Sequence, residues 1–197
     1  MIPSSFHALC DAVRATHRTH PALAEFCAFP DDLTETPPER HFIKAAGLMD
    51  SDPVMLGSTD ALVQAFLHAS PDAKWRETYK GTDIGDDFMD RFACYCLIGA
   101  GGAYRSKTFR SYVVYMPPSL WYPHRHHPAE ELYLVLAGEA EFQMDGTPNR
   151  TLRAGDSAFH PSNRAHAMQT KDHPVMAYVV WRNALQTPPV LTERSFA

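Results

Sequence analysis

The segment Tyr122 to Gly138, YPHRHHPAEELYLVLAG, sets three histidines and two glutamates in front of an apolar run that ends in glycine. A second segment, GDSAFHPSNRAH from Gly155, brings His166. Two imidazoles and a carboxylate drawn from neighbouring strands make an open site for a divalent cation. Imidazole suits zinc, iron, copper and nickel, and a carboxylate beside it keeps manganese and iron in play.

The spacing also gives the positioning elements. Glu131, Tyr133 and Val135 alternate with Leu132, Leu134 and Leu136, the period-two pattern of a strand. Glu131 and Tyr133 therefore share a face, about 7 Å apart along it. Gly138 is read as a turn closing that strand, with a new strand over Glu139–Met144. Asp145-Gly146 signals a hairpin. Pro161 and Asn163 bend the chain before His166, so the carboxylate and the distant histidine can meet within one antiparallel sheet.

These two segments resemble the paired cupin motifs: histidines, then a glutamate, six residues and a glycine; later a glycine, a proline and a histidine. Tyr122-Pro123 and His127-Pro128-Ala129-Glu130-Glu131-Leu132-Tyr133 are further similar to the cupin-type dimethylsulfoniopropionate lyases of the DddL and DddQ kind. Upstream, Trp75-Arg76-Glu77-Thr78-Tyr79 and Asp86-Asp87-Phe88-Met89 carry the same likeness, which spans roughly residues 60 to 182. The family pattern has two histidines one residue apart, the second four before the glutamate. Here His127 fills the second place and Arg125 stands in the first. A register through His124-x-His126 also meets a cupin spacing, so His126 stays open as a ligand beside the preferred His127.

The resemblance implies a metal held by His127, Glu131 and His166, with Tyr133 beside it as base and further ligand. Zinc or iron is implied first, with manganese, nickel or cobalt as alternatives. It implies β-elimination of a small zwitterion, dimethylsulfoniopropionate, to dimethyl sulfide and acrylate. A sulfonium needs aromatic faces, and Tyr122 and Trp181, with His126, are the expected substrate contacts. A bound divalent charge favours a phenolate, which makes a tyrosine usable as a base at neutral pH. The competing readings on the same barrel are an iron dioxygenase or isomerase, and a binder without turnover.

The rest of the chain bounds these readings. Its 197 residues suffice for one domain with a sizeable core. A formal net charge of -5 with scattered basic residues argues against nucleic acid. No apolar stretch approaches a membrane span. The start, MIPSSFHALCDAVRATHR, lacks a signal-peptide pattern. Cys10, Cys27, Cys94 and Cys96 make no Cys-x-x-Cys motif. Cys94 and Cys96 share a strand face as buried thiols, which reads as a reduced, cytoplasmic setting.

Helical spacing over about residues 4 to 28, broken at His20-Pro21, has Ser4 or Ser5 as its expected cap. A second helix over Ala61–Ala69 is capped from Ser58-Thr59-Asp60. From Phe92 onward the pattern is strands. The expected fold is α+β, mostly β: a mainly helical part over 1–90, then an antiparallel cupin β-barrel (jelly roll) over 91–197. The helices should cover sheet edges or a barrel mouth, and a homodimer contact through them is a further expectation.

Overall fold

The structure, a computed structural model, describes residues 1–192. In chain order the elements are α1 (Ser4–Thr19), α2 (Pro21–Phe26), β1 (Thr34–Glu35), α3 (Lys44–Ser51), α4 (Pro53–Leu56), α5 (Ala61–Ala69) and α6 (Asp86–Arg91). Then come β2 (Ala93–Ile98), β3 (Tyr104–Arg105), β4 (Arg110–Met116), β5 (Trp121–His126) and β6 (Glu130–Met144). The last are β7 (Arg150–Arg153), β8 (Ser157–His160), β9 (His166–Gln169), β10 (Val175–Arg182) and β11 (Val190–Leu191). Among the described residues no helix is long and apolar enough to cross a membrane.

The helices start for local reasons. Pro21 opens α2 and ends α1 at the expected break. The Asp60 carboxylate accepts from the backbone N–H of Leu62 and Val63 at 2.8 and 3.0 Å, the expected cap of α5. The cap expected of Ser4 or Ser5 is not made. Pro3 takes the cap position, and the Ser5 hydroxyl donates instead to Asp72 Oδ2 at 2.9 Å.

Pairing runs β1-β3-β2-β4-β10-β6-β9-β5-β11, with β7 and β8 also on β6. This path is open, so the expected barrel is not a closed ring of hydrogen bonds. The corner is turned by β6 itself. Its first half pairs with β10 and β8, its second with β7 and β9. Gly138, read from sequence as a turn, is the bend inside this one strand. Its φ is +71°, and a Cβ there would lie 1.8 Å from the Pro174 carbonyl oxygen, so only glycine fits.

Both faces of the central strands are buried, which is why β2, β4 and β10 read as almost unbroken apolar runs. Leu132, Leu134, Tyr95, Val113, Tyr178 and Val180 pack against Phe6, Leu9, Val13, Val63 and Phe66 of the helices. Tyr133, Val135, Cys94, Cys96, Tyr112, Val179 and Trp181 form the other core with Tyr79, Phe92 and Tyr122. Helices α1 and α5 thus cover an apolar sheet face, while α6 sets Phe88 against Phe92 and Tyr122 of the inner core. Cys94 and Cys96 are buried free thiols on the inner face.

Candidate metal centre

Glu131 stands at the centre of the inner face. On β6 it lies opposite Trp181 of β10 on one side and His160 of β8 on the other. Cross-strand partners project to the same face, so the register alone delivers three polar groups to one point. Trp181 Nε1–H donates to Glu131 Oε1 at 2.6 Å. His160 Nδ1–H donates to Oε2 at 3.2 Å. His127 Nε2 and His166 Nε2 lie 3.4 and 3.1 Å from the same Oε2. All of these residues are buried. The rings are clamped in place: Trp181 stacks on His127 at 4.2 Å between centroids, and His160 on His166 at 4.1 Å.

Two backbone carbonyls set the tautomers. His127 Nδ1–H donates to Ala129 O at 3.0 Å, and His166 Nδ1–H to Arg164 O at 2.8 Å. His166 then presents its Nε2 lone pair to the carboxylate, and His127 turns its Nε2 toward the same oxygen. Burial first, then Arg125 and His160, pushes His166 down to about 3, so its ring is neutral. Burial likewise lowers His160. Burial opposes the charge on Glu131, but His127, His160 and His166 together hold its carboxyl well below the usual range. His166 Nε2 is buried with no hydrogen-bond partner. A lone pair facing a carboxylate oxygen stays unsatisfied until a cation sits between them. His127, Glu131 and His166 are the one such group among the described residues, their ligand atoms all within 4.8 Å of one another. Two imidazoles and a carboxylate with carbonyl-anchored outer nitrogens fit a divalent transition metal.

The remaining candidates fall on either side of this centre. Tyr133 is buried on the same inner face and lines one small cavity, about 40 Å³, with Glu131, Trp181, Tyr122 and Tyr112. Burial and the nearby Glu131 raise its phenol above the ordinary range, against the pull of Arg125. The Tyr122 hydroxyl shares a hydrogen bond with that of Tyr79 at 2.9 Å. His126 lies apart: its Nδ1 pairs with Thr192 Oγ1 at 2.8 Å, and neither it nor His124 belongs to the converging group.

Two site residues escaped sequence reading. His160 sits in an ordinary-looking strand, SAFH, and only the β6–β8 register brings it to Glu131. Arg125 showed only as a departure from the family pattern. It is buried, donates from Nη2 to the Tyr133 hydroxyl at 2.9 Å, and lies 3.5 Å over the Tyr122 ring.

The family model for dimethylsulfoniopropionate lyase matches residues 31–177. Dimethylsulfoniopropionate lyase DddQ of Ruegeria pomeroyi DSS-3 is 52% identical over 189 residues, 95% of this chain and 94% of its own length. The crystal structure of that DddQ superposes with a TM-score of 0.93 over 96% of both chains. A chain from the crystal structures of the dimethylsulfoniopropionate lyases RdDddP and RnDddQII is 31% identical, with a TM-score of 0.90 over 96% of this chain and 98% of its own. The fold, the match over most of the chain and the half-identical relative agree: the chain belongs to the dimethylsulfoniopropionate lyase family.

Proposed function

We propose that this chain is a metal-dependent carbon–sulfur lyase that cleaves dimethylsulfoniopropionate to dimethyl sulfide, acrylate and a proton. The observation that carries the reading is the convergence of His127 Nε2 and His166 Nε2 on the Glu131 carboxylate, which itself lines one cavity with the Tyr133 phenol. His127, Glu131 and His166 would hold the cation, with Tyr133 as a further candidate ligand; zinc or iron suits this set first, and manganese, nickel or cobalt also fit. When bound, the divalent cation supplies Lewis-acid charge that makes the proton alpha to a carboxylate easier to remove.

The protein's own groups do the rest. Tyr133 takes the alpha proton, the carbon–hydrogen electrons form the new double bond, and the carbon–sulfur pair leaves with sulfur. Dimethyl sulfide departs neutral from a sulfonium, so sulfur needs no general acid. Arg125 holds the phenol oxygen and favours its ionised form through a charge-assisted hydrogen bond. Trp181 fixes the Glu131 carboxylate through its indole N–H while its ring, with Tyr122, presents an aromatic wall to the sulfonium. Stripping metal with a chelator should abolish dimethyl sulfide release, and adding back zinc or iron(II) should restore it. Full activity in metal-free protein would contradict the proposal.

A further inference from the structure

Arg76 is a cation inside the same cavity that no part of the metal centre uses. The backbone beside β2 explains its aim. Arg76 N–H donates to Cys94 O at 2.9 Å, and the preceding Trp75 bridges Tyr95. Trp75 and Tyr95 pack together on the helix-covered face, ring centroids 4.7 Å apart. Arg76, one residue on, takes the opposite direction and lines the cavity with Cys94, Tyr112, Glu131 and Trp181. Its guanidinium lies 5.0 Å from the Tyr112 ring centroid.

Among the described residues Arg76 has no ion pair. The nearest carboxylate in sequence, Glu77, is taken by Lys80 at 3.0 Å and His41 at 3.1 Å. Glu131, on the same cavity wall, is held by Trp181 and three imidazoles. A partly buried guanidinium without an anion is costly, and its planar fork suits a carboxylate. The cavity therefore has one cationic wall at Arg76 and aromatic walls at Trp181, Tyr122 and Phe92.

We infer that Arg76 binds the carboxylate of the substrate and thereby sets both its orientation and its class. This rests on the lyase reading. A zwitterion enters with its carboxylate toward Arg76 and its sulfonium repelled toward the aromatic wall. A sulfonium whose acid is masked as an ester or amide loses that contact, and so does a cation with no acid at all. Acrylate, which keeps the carboxylate, remains a ligand of Arg76 after the sulfide has left.

The test measures acrylate binding to metal-loaded protein by calorimetry, together with kinetics on dimethylsulfoniopropionate and its methyl ester. Arg76→Met should weaken acrylate binding about 10- to 100-fold, the scale of a hydrogen-bonded charged contact. It should raise KM for the acid by a similar factor and erase the preference for acid over ester. Arg76→Lys, which keeps the charge without the fork, should fall between, and it carries the test if Arg76→Met does not fold. Unchanged acrylate affinity together with an intact preference for acid over ester overturns the inference. Wild-type protein that binds acrylate through Arg76 yet releases no dimethyl sulfide would instead sink the lyase reading and leave Arg76 as a carboxylate site.

Discussion

Arg125 Nη2 donates a hydrogen bond to the hydroxyl oxygen of Tyr133 at 2.9 Å, with both side chains buried. The phenol oxygen thus accepts from a permanent cation, and its own proton must point elsewhere in the cavity. Arg125 holds the place where the family pattern has its first histidine. In this chain that place serves the tyrosine rather than the converging ligands.

Tyr133→Phe removes the oxygen and keeps the ring. If Tyr133 takes the alpha proton, turnover falls about 100-fold or more, measured as dimethyl sulfide release at saturating substrate. Metal content is read on the same sample, because the phenol is also a candidate ligand. A variant with normal metal and a near-normal rate would show that another group takes the proton.

The ligand assignment separates His127 and His166 from His126. His166→Ala should lose most bound metal and activity together, as should His127→Ala. His126→Ala should keep its metal, since its ring faces Thr192. Elemental analysis of the three purified variants decides it; metal retained by His127→Ala and lost from His126→Ala shifts the ligand to the His126 register, and full metal in His166→Ala removes that residue from the site.

Trp181→Phe keeps an aromatic wall but deletes the 2.6 Å indole bond to Glu131. Outer partners of this kind contribute about 10- to 100-fold to metal affinity or activity. Titration with a competing chelator should show weaker metal binding in the variant. Equal affinity would mean that Trp181 serves only the substrate.

His17 predicts an acid limb in stability away from the metal centre. Its ring is buried against Phe29 and Phe109, and its Nε2–H donates to Cys27 O at 2.7 Å. Burial lowers its pKa below the ordinary value, against the raising effect of that carbonyl. The unfolded chain takes up a proton near pH 6.5, where folded His17 does not. Stability is therefore full above that pH and declines as pH falls toward the lowered folded value. Thermal melts from pH 7.5 to 5 should fall less steeply for His17→Gln than for wild type. Parallel slopes would remove His17 from the account.

The parts legible in sequence were those written in local pattern. The alternation around Glu131 put Tyr133 on its face, Asp60 announced α5, and Pro21 broke the first helical run. What stayed hidden depends on long-range register. Gly138 reads as a turn because glycine commonly marks one, yet the close approach of Pro174 makes it a bend within β6. His160 has no local signature and acquires its partner only when β8 pairs with β6. The short helices α3, α4 and α6 carry too few periodic positions to stand out, and they form because tertiary packing supplies what their length does not.

β-Elimination at this cavity must release dimethyl sulfide and acrylate one for one. Metal-replete protein is incubated with dimethylsulfoniopropionate, with dimethyl sulfide followed in the headspace and acrylate in solution. The two products are expected in equal amounts, without oxygen uptake. Absence of dimethyl sulfide, or consumption of oxygen in its place, would contradict it.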